Sequence, residues 1–321
     1  MSSGSNSTIP LVLVQKQLYR FGGPILMIFG TVSSILSLII FLQKNLRKNP
    51  CSIYLIAFNI GNLFLIYTSL FSLILINGYN MDSSLYNLII CRLHFYTMLI
   101  FDVLSPSYLI LASIDRILVT SRYAIMRSKS THRLAYICIM IVTLLWLLFH
   151  SHALVLTNII EPLPNFFRCY FQTGIYLVFI GYYSLIIKGI LIPLLMIIFG
   201  LWTVKNIRSI GRIDPRPVLI VTRRKTIGGL YLKHSKDRQF IQILFIDIIV
   251  YIIFSLMISA VFMYQQFAQY KSYNLISVQI QGFLIYVATF SSYIPFCFGF
   301  YTNFIMSKQF RHEVKHYILC Q

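Results

Sequence analysis

Five ionisable side chains stand where this chain leaves little room for charge. Asp102, Lys188 and Asp247 are each the sole charge of a long apolar run, and Asp115 and Arg116 directly follow the run that holds Asp102. A charge at bilayer depth is costly, so such a residue is paired with another or lines a ligand site, proton relay or ion path. Enzymatic chemistry finds no support. No nucleophile stands at usable spacing from a base, and His150 and His152 share one run without the third ligand a metal would need. Both histidines are expected to be solvated near the end of that run. Neither a metal nor catalysis is expected.

The elements that must position these charges are helices. Crossing a hydrocarbon core takes about 20 mostly apolar residues, and seven runs qualify: residues 21–42, 53–76, 95–114, 135–157, 174–203, 240–263 and 275–304. The runs are continuous, whereas a barrel strand shows about ten residues of strict alternation. Only 11% of the residues are charged, less than half the share of an ordinary soluble domain, roughly a quarter. The fold class that follows is all-α, a seven-transmembrane helix bundle. The sequence carries no internal repeat, against transporters built from duplicated halves. Six cysteines in 321 residues are too few for a disulfide framework.

Lys and Arg number 27 against 8 acids. They flank apolar runs, so the expected partner of this basicity is membrane lipid and not nucleic acid. By alternate faces, 21 of them fall after runs one, three, five and seven, and 4 fall on the other side. Basic loops stay in the cytosol, so the N-terminus is expected outside and the C-terminus inside, in a multi-pass plasma-membrane protein. The organisation is then an extracellular N-terminus (1–20), a seven-helix domain (21–304) and a cytoplasmic tail (305–321). Residues 205–238 read as a flexible basic loop. The polar start lacks the basic and apolar regions of a cleavable signal peptide. Asn6-Ser7-Thr8 fits the glycosylation acceptor pattern, the alternative being a plain asparagine.

The run at 95–114 carries a more specific pattern. Cys91 precedes it, and Asp115-Arg116-Ile117 closes it with the arginine 25 residues after the cysteine. Cys169 lies in the loop after the fourth run, Trp146 within the fourth and Pro193 within the fifth. This ordered set resembles rhodopsin-like G protein-coupled receptors, over nearly the whole chain. The resemblance implies a Cys91–Cys169 disulfide, a heterotrimeric G protein as partner, and a peptide or small-molecule ligand outside. It implies that Arg116 pairs with Asp115 and with an acid at the base of the sixth span, for which Asp237 is the candidate. It also implies a short amphipathic eighth helix from Lys308-Gln309-Phe310-Arg311. Phe310, Val314, Tyr317 and Ile318 recur there at helical spacing, a face expected to lie on the bilayer. Cys320 then becomes a palmitoylation candidate, the alternative being a bare thiol.

Departures from the family pattern narrow the reading to a divergent member, most like invertebrate peptide or orphan receptors. Ser34 and Asn62 replace the family's asparagine and aspartate in spans one and two. Phe254-Ser255-Leu256-Met257 stands where the family has Cys-Trp-x-Pro, and the Asn-Pro-x-x-Tyr of span seven aligns near Gly299 to Asn303. Met98 holds the amine receptors' aspartate position and span seven has no lysine, so neither a monoamine nor retinal is expected. Ser105 and Asn62 resemble two members of the family's sodium site, but Asn62 lacks the aspartate's charge, so no cofactor is expected. Spans three and five are neighbours in that fold. Asp102 and Lys188 are therefore either an interhelical ion pair or a ligand contact at the pocket floor. Asp247 either faces Arg116 or a water chain, or is satisfied by a neighbouring helix. The rival function is a transporter or channel using Asp102, Lys188 and Asp247 as a polar path. A further rival is a receptor fold that signals without a G protein.

Overall fold

A computed structural model describes residues 9–82, 85, 87–121, 123–163, 166–172, 174–210, 224–268, 275–307, 310–312, 314 and 315. Among these, the side chains of residues 207–210, 224–240, 265–268 and 275–279 and of a few scattered positions lie outside the description. Among the described residues, seven helices are long and apolar enough to cross a membrane: α1 (Leu11–Phe41), α2 (Pro50–Tyr79), α3 (Leu88–Val119), α4 (His132–Leu156), α5 (Ile175–Asn206), α6 (Ile241–Val261) and α7 (Ile280–Ile305). The chain is a seven-helix bundle and a multi-pass membrane protein.

The helix starts follow from local chemistry. Asn49 caps α2, its Oδ1 accepting the Cys51 amide at 3.2 Å, with Pro50 in the first turn where its missing N–H leaves no gap. Asn87 caps α3 through the Ile89 amide at 2.8 Å, and Thr131 caps α4 through the Leu134 amide at 3.2 Å. Helix α7 breaks at Tyr293, just before Pro295, whose ring removes a helical donor. The first helix reaches back further than the apolar run at 21–42. It is helical from Ile9, and Tyr19 is fully buried, donating its hydroxyl to the Tyr286 carbonyl at 2.9 Å.

Helix α3 is the axis of the bundle, packing against α2, α4, α5 and α6. Its most apolar stretch is largely buried where that of α4 is largely exposed. Ile141, Leu144, Leu145 and Leu148 of α4 are exposed, an apolar face that suits lipid and not water. An element the sequence did not announce follows α4. Strands β1 (Thr157–Leu163) and β2 (Phe166–Phe171) form an antiparallel hairpin with Ile159 opposite Cys169.

Residues 310–312, 314 and 315 are helical, with the Ser307 Oγ accepting the Phe310 amide at 3.2 Å. The expected bilayer-facing stripe is corrected here. Phe310 and Val314 are buried, and Phe310 packs against the rings of Phe41 and Phe300. The ends of α1 and α7 present an aromatic edge that the tail covers. Tyr317, Ile318 and Cys320 lie outside the described residues, as does Asn6.

Candidate functional site

The polar side chains predicted from sequence converge on the inner faces of the bundle, in layers along α3. At one end Cys91 is bonded to Cys169, which ties β2 to α3 with a sequence separation of 78. Arg92 reinforces the tether. Its Nε donates to the Thr157 carbonyl at 3.1 Å and its Nη2 to Asn158 Oδ1 at 3.0 Å.

Three turns further along α3, Asp102 forms an ion pair with Lys188 of α5. The two neighbouring-helix charges meet, as one of the two sequence readings required. Lys188 sits in a π-helical stretch, Ser184–Leu191, immediately before Pro193. A proline lacks the N–H that would bond the carbonyl one turn back, so the backbone there is left with free acceptors. Helix α6 supplies the donors. Ser259 Oγ lies 3.1 Å from the Gly189 carbonyl and Ser255 Oγ lies 3.4 Å from the Lys188 carbonyl. Hydroxyls of a neighbouring helix commonly satisfy such freed groups in membranes.

Ser105, one turn beyond Asp102, donates to Asn62 Oδ1 of α2 at 2.7 Å, with both residues buried. The close approach of α2 and α3 depends on Gly61. A Cβ there would fall 2.6 Å from Ser105 Oγ.

At the far end of α3, Arg116 is the largest fully buried side chain among the described residues. Its Nη2 donates to Asp115 Oδ2 at 2.5 Å and to Asn49 Oδ1 at 2.7 Å. Asp115 also accepts the Ser130 hydroxyl at 2.6 Å. Asp237, the expected second acid, lies on the helix Arg224–Ala268, but its side chain is outside the described residues.

No family model matches the chain, and none of the curated proteins compared with it matches.

Asp247 of α6 does not meet Arg116. Its carboxylate is 8% exposed and receives the Asn303 amide of α7, with Nδ2 at 3.0 Å and 3.3 Å from its two oxygens. Of the two readings open in sequence, its contact is with the neighbouring helix.

The histidine expectation is overturned. His150 is fully buried, with Nδ1 donating to the Trp146 carbonyl and Nε2 accepting from the Tyr183 hydroxyl, both at 2.9 Å. His152 is half-buried and meets the Tyr176 hydroxyl at 2.8 Å. His150 lies four residues after Trp146, so both share one helix face. Trp146 Nε1 donates to Ser107 of α3 at 3.0 Å, and that face therefore turns inward. The i,i+4 relation was legible; which face turned inward was not. Asn49 was also missed as a partner of Arg116. Its position before Pro50 marked it as a cap, but nothing local marked it as a neighbour of a residue on α3.

Proposed function

We propose that this chain is a divergent receptor of the rhodopsin-like, G protein-coupled kind. It would carry a signal from an extracellular peptide or small molecule to a heterotrimeric G protein in the cytosol. The observation that carries the reading is Arg116. It is buried at the end of α3 and clamped by Asp115 and by Asn49 at the start of α2, remote from the disulfide-bonded end. An arginine held between helix ends is a two-state element: one arrangement keeps the ends together, and its release opens a groove for a partner. The basic-loop bias supports an N-terminus outside, which sets Arg116 on the cytosolic face and Cys91–Cys169 on the oxidising side where disulfides persist.

The transporter or channel alternative asks for a connected polar path. Asp102 instead closes on Lys188 and Asp247 on Asn303, and no hydrogen bond joins the two pairs among the described residues. A sodium ion has no part in the proposal. Asn62 is uncharged and its oxygen accepts the Ser105 hydroxyl, while Asp102 is paired with Lys188.

The test is G-protein nucleotide exchange at matched surface expression, for Arg116→Ala and Asp237→Ala. Arg116→Ala is expected to weaken exchange while ligand binding persists, and Asp237→Ala to raise basal exchange several-fold, in keeping with switch couplings of about 1–3 kcal/mol. Full coupling by Arg116→Ala across several G-protein classes sinks the receptor reading. Unchanged basal exchange in Asp237→Ala removes the second acid of the clamp.

A further inference from the structure

Asp247 and Asn303 leave a hydrogen-bonding imbalance that one proton resolves. An ionised carboxylate only accepts hydrogen bonds, and Asp247 receives one amide group, Nδ2 of Asn303, set between its two oxygens. The other half of that amide, Asn303 Oδ1, is buried and has no partner among the described residues. Both side chains are more than nine-tenths buried. A negative charge would therefore sit within the bundle without a counter-charge, beside an acceptor without a donor. Each is unfavourable away from water.

No cation among the described residues forms an ion pair with Asp247. On α3, Asp102 is paired with Lys188 of α5, and Arg116 is held by Asp115 and Asn49. Lys205 of α5 makes no ion pair with Asp247, and α7 carries no charged residue. Around the carboxylate itself stand Asn303 and the backbone at Gly299, where a Cβ would lie 3.7 Å from Asp247 Oδ1. Tyr251, one turn along α6, is the nearest titratable residue on the same helix. Among the described residues no group of three or more His, Cys, Asp or Glu side chains is placed to hold a metal ion.

A neutral carboxylic acid has one donor and one acceptor, and so has the face of a primary amide. Rotation of the Asn303 amide plane, a soft torsion, brings Oδ1 to one carboxyl oxygen while Nδ2 keeps the other. The acid O–H then donates to Oδ1, the amide N–H donates to the acid carbonyl, and every polar atom has a partner. We propose that Asp247 and Asn303 form a proton-binding site, in which the protonated carboxyl and the amide make a two-bond latch between α6 and α7. The proton resides on a carboxyl oxygen of Asp247. Its loss leaves an uncompensated charge and an orphaned amide oxygen between the same two helices and so weakens their contact. The site stands apart from the receptor reading, since it makes no use of a G protein.

The experiment is infrared spectroscopy of the purified full-length protein in lipid nanodiscs at neutral pH, in H2O and D2O. A protonated carboxyl gives a C=O band well separated from carboxylate bands, and the band shifts in D2O. The expected result is such a band in the wild type that is lost in Asp247→Asn, whose amide preserves one donor and one acceptor. Superimposable wild-type and Asp247→Asn spectra in that region overturn the proposal. Should Asp247→Asn fail to fold, Asn303→Ala decides the matter. The wild-type band is expected to move to higher frequency as its hydrogen bond is removed, and a band that is absent from the wild type or unmoved in Asn303→Ala overturns the latch.

Discussion

Breaking the Asp102–Lys188 pair from one side is expected to harm the protein more than deleting it from both. Lys188→Ala leaves Asp102 within α3 facing α5 without its cation, and Asp102→Ala strands the ammonium in the π-helical stretch of α5. Removing one partner of a fully buried ion pair costs about 3–5 kcal/mol, whereas a surface pair is worth about 0–1 kcal/mol. The side chains here keep 17% and 28% of their exposure, Lys188 and Asp102 respectively, which places each single change between those limits, at about 2–3 kcal/mol. The double alanine variant removes the pair without stranding a charge, so its loss is expected to fall below that of either single, which makes it smaller than the sum of the singles by about 3 kcal/mol. Thermal unfolding in detergent reads this directly. Cys51 and Cys297 are buried thiols outside the disulfide, so a thiol-reactive fluorogenic dye labels them as the bundle opens. Surface expression in cells is expected to follow the same order, with the double variant recovering over Lys188→Ala. Two outcomes refute the reasoning: both singles unfolding like the wild type, or single losses that simply add in the double.

Mass spectrometry of the non-reduced protein is expected to recover the Cys91 and Cys169 peptides as one linked species, and Cys169→Ser to destabilise by roughly 2–4 kcal/mol; recovery of both thiols free contradicts the bond. Gly61→Ala is expected to destabilise by about 1–3 kcal/mol, because the new methyl group would sit 2.6 Å from Ser105 Oγ. Ser105→Ala in the same chain removes the obstructing oxygen and is expected to recover much of that loss, so a melt in which the second change gives no recovery argues against this helix contact.

Some of this architecture was settled by residue order alone. Long apolar runs must form helices in a bilayer, since each backbone polar group has to find its partner within the segment; that is a local requirement, and the seven spans follow from it. Helix starts at Asn49-Pro50, Asn87 and Thr131 are likewise local, set by side chains that bond an amide two or three residues ahead. The odd placement of Asp102, Lys188 and Asp247 in apolar runs marked them as residues in need of partners. Which partner each one takes was not a local matter. Asp102 meets a residue 86 positions away and Asn303 meets Asp247 across 56. Those meetings depend on the rotation of each helix about its axis, which is fixed by packing against several neighbours at once. The same holds for His150, whose run shows where it lies along the helix and not whether it faces lipid, water or the Tyr183 hydroxyl. The hairpin after α4 is tertiary in origin too, with its second strand anchored to α3 by the disulfide and its first by Arg92. Sequence thus determined how many times the chain crosses and which residues cannot remain alone in the membrane, because bilayer thickness and the cost of buried charge act on each segment separately. Tertiary structure decided who pairs with whom, because helix rotation and depth are properties of the assembled bundle.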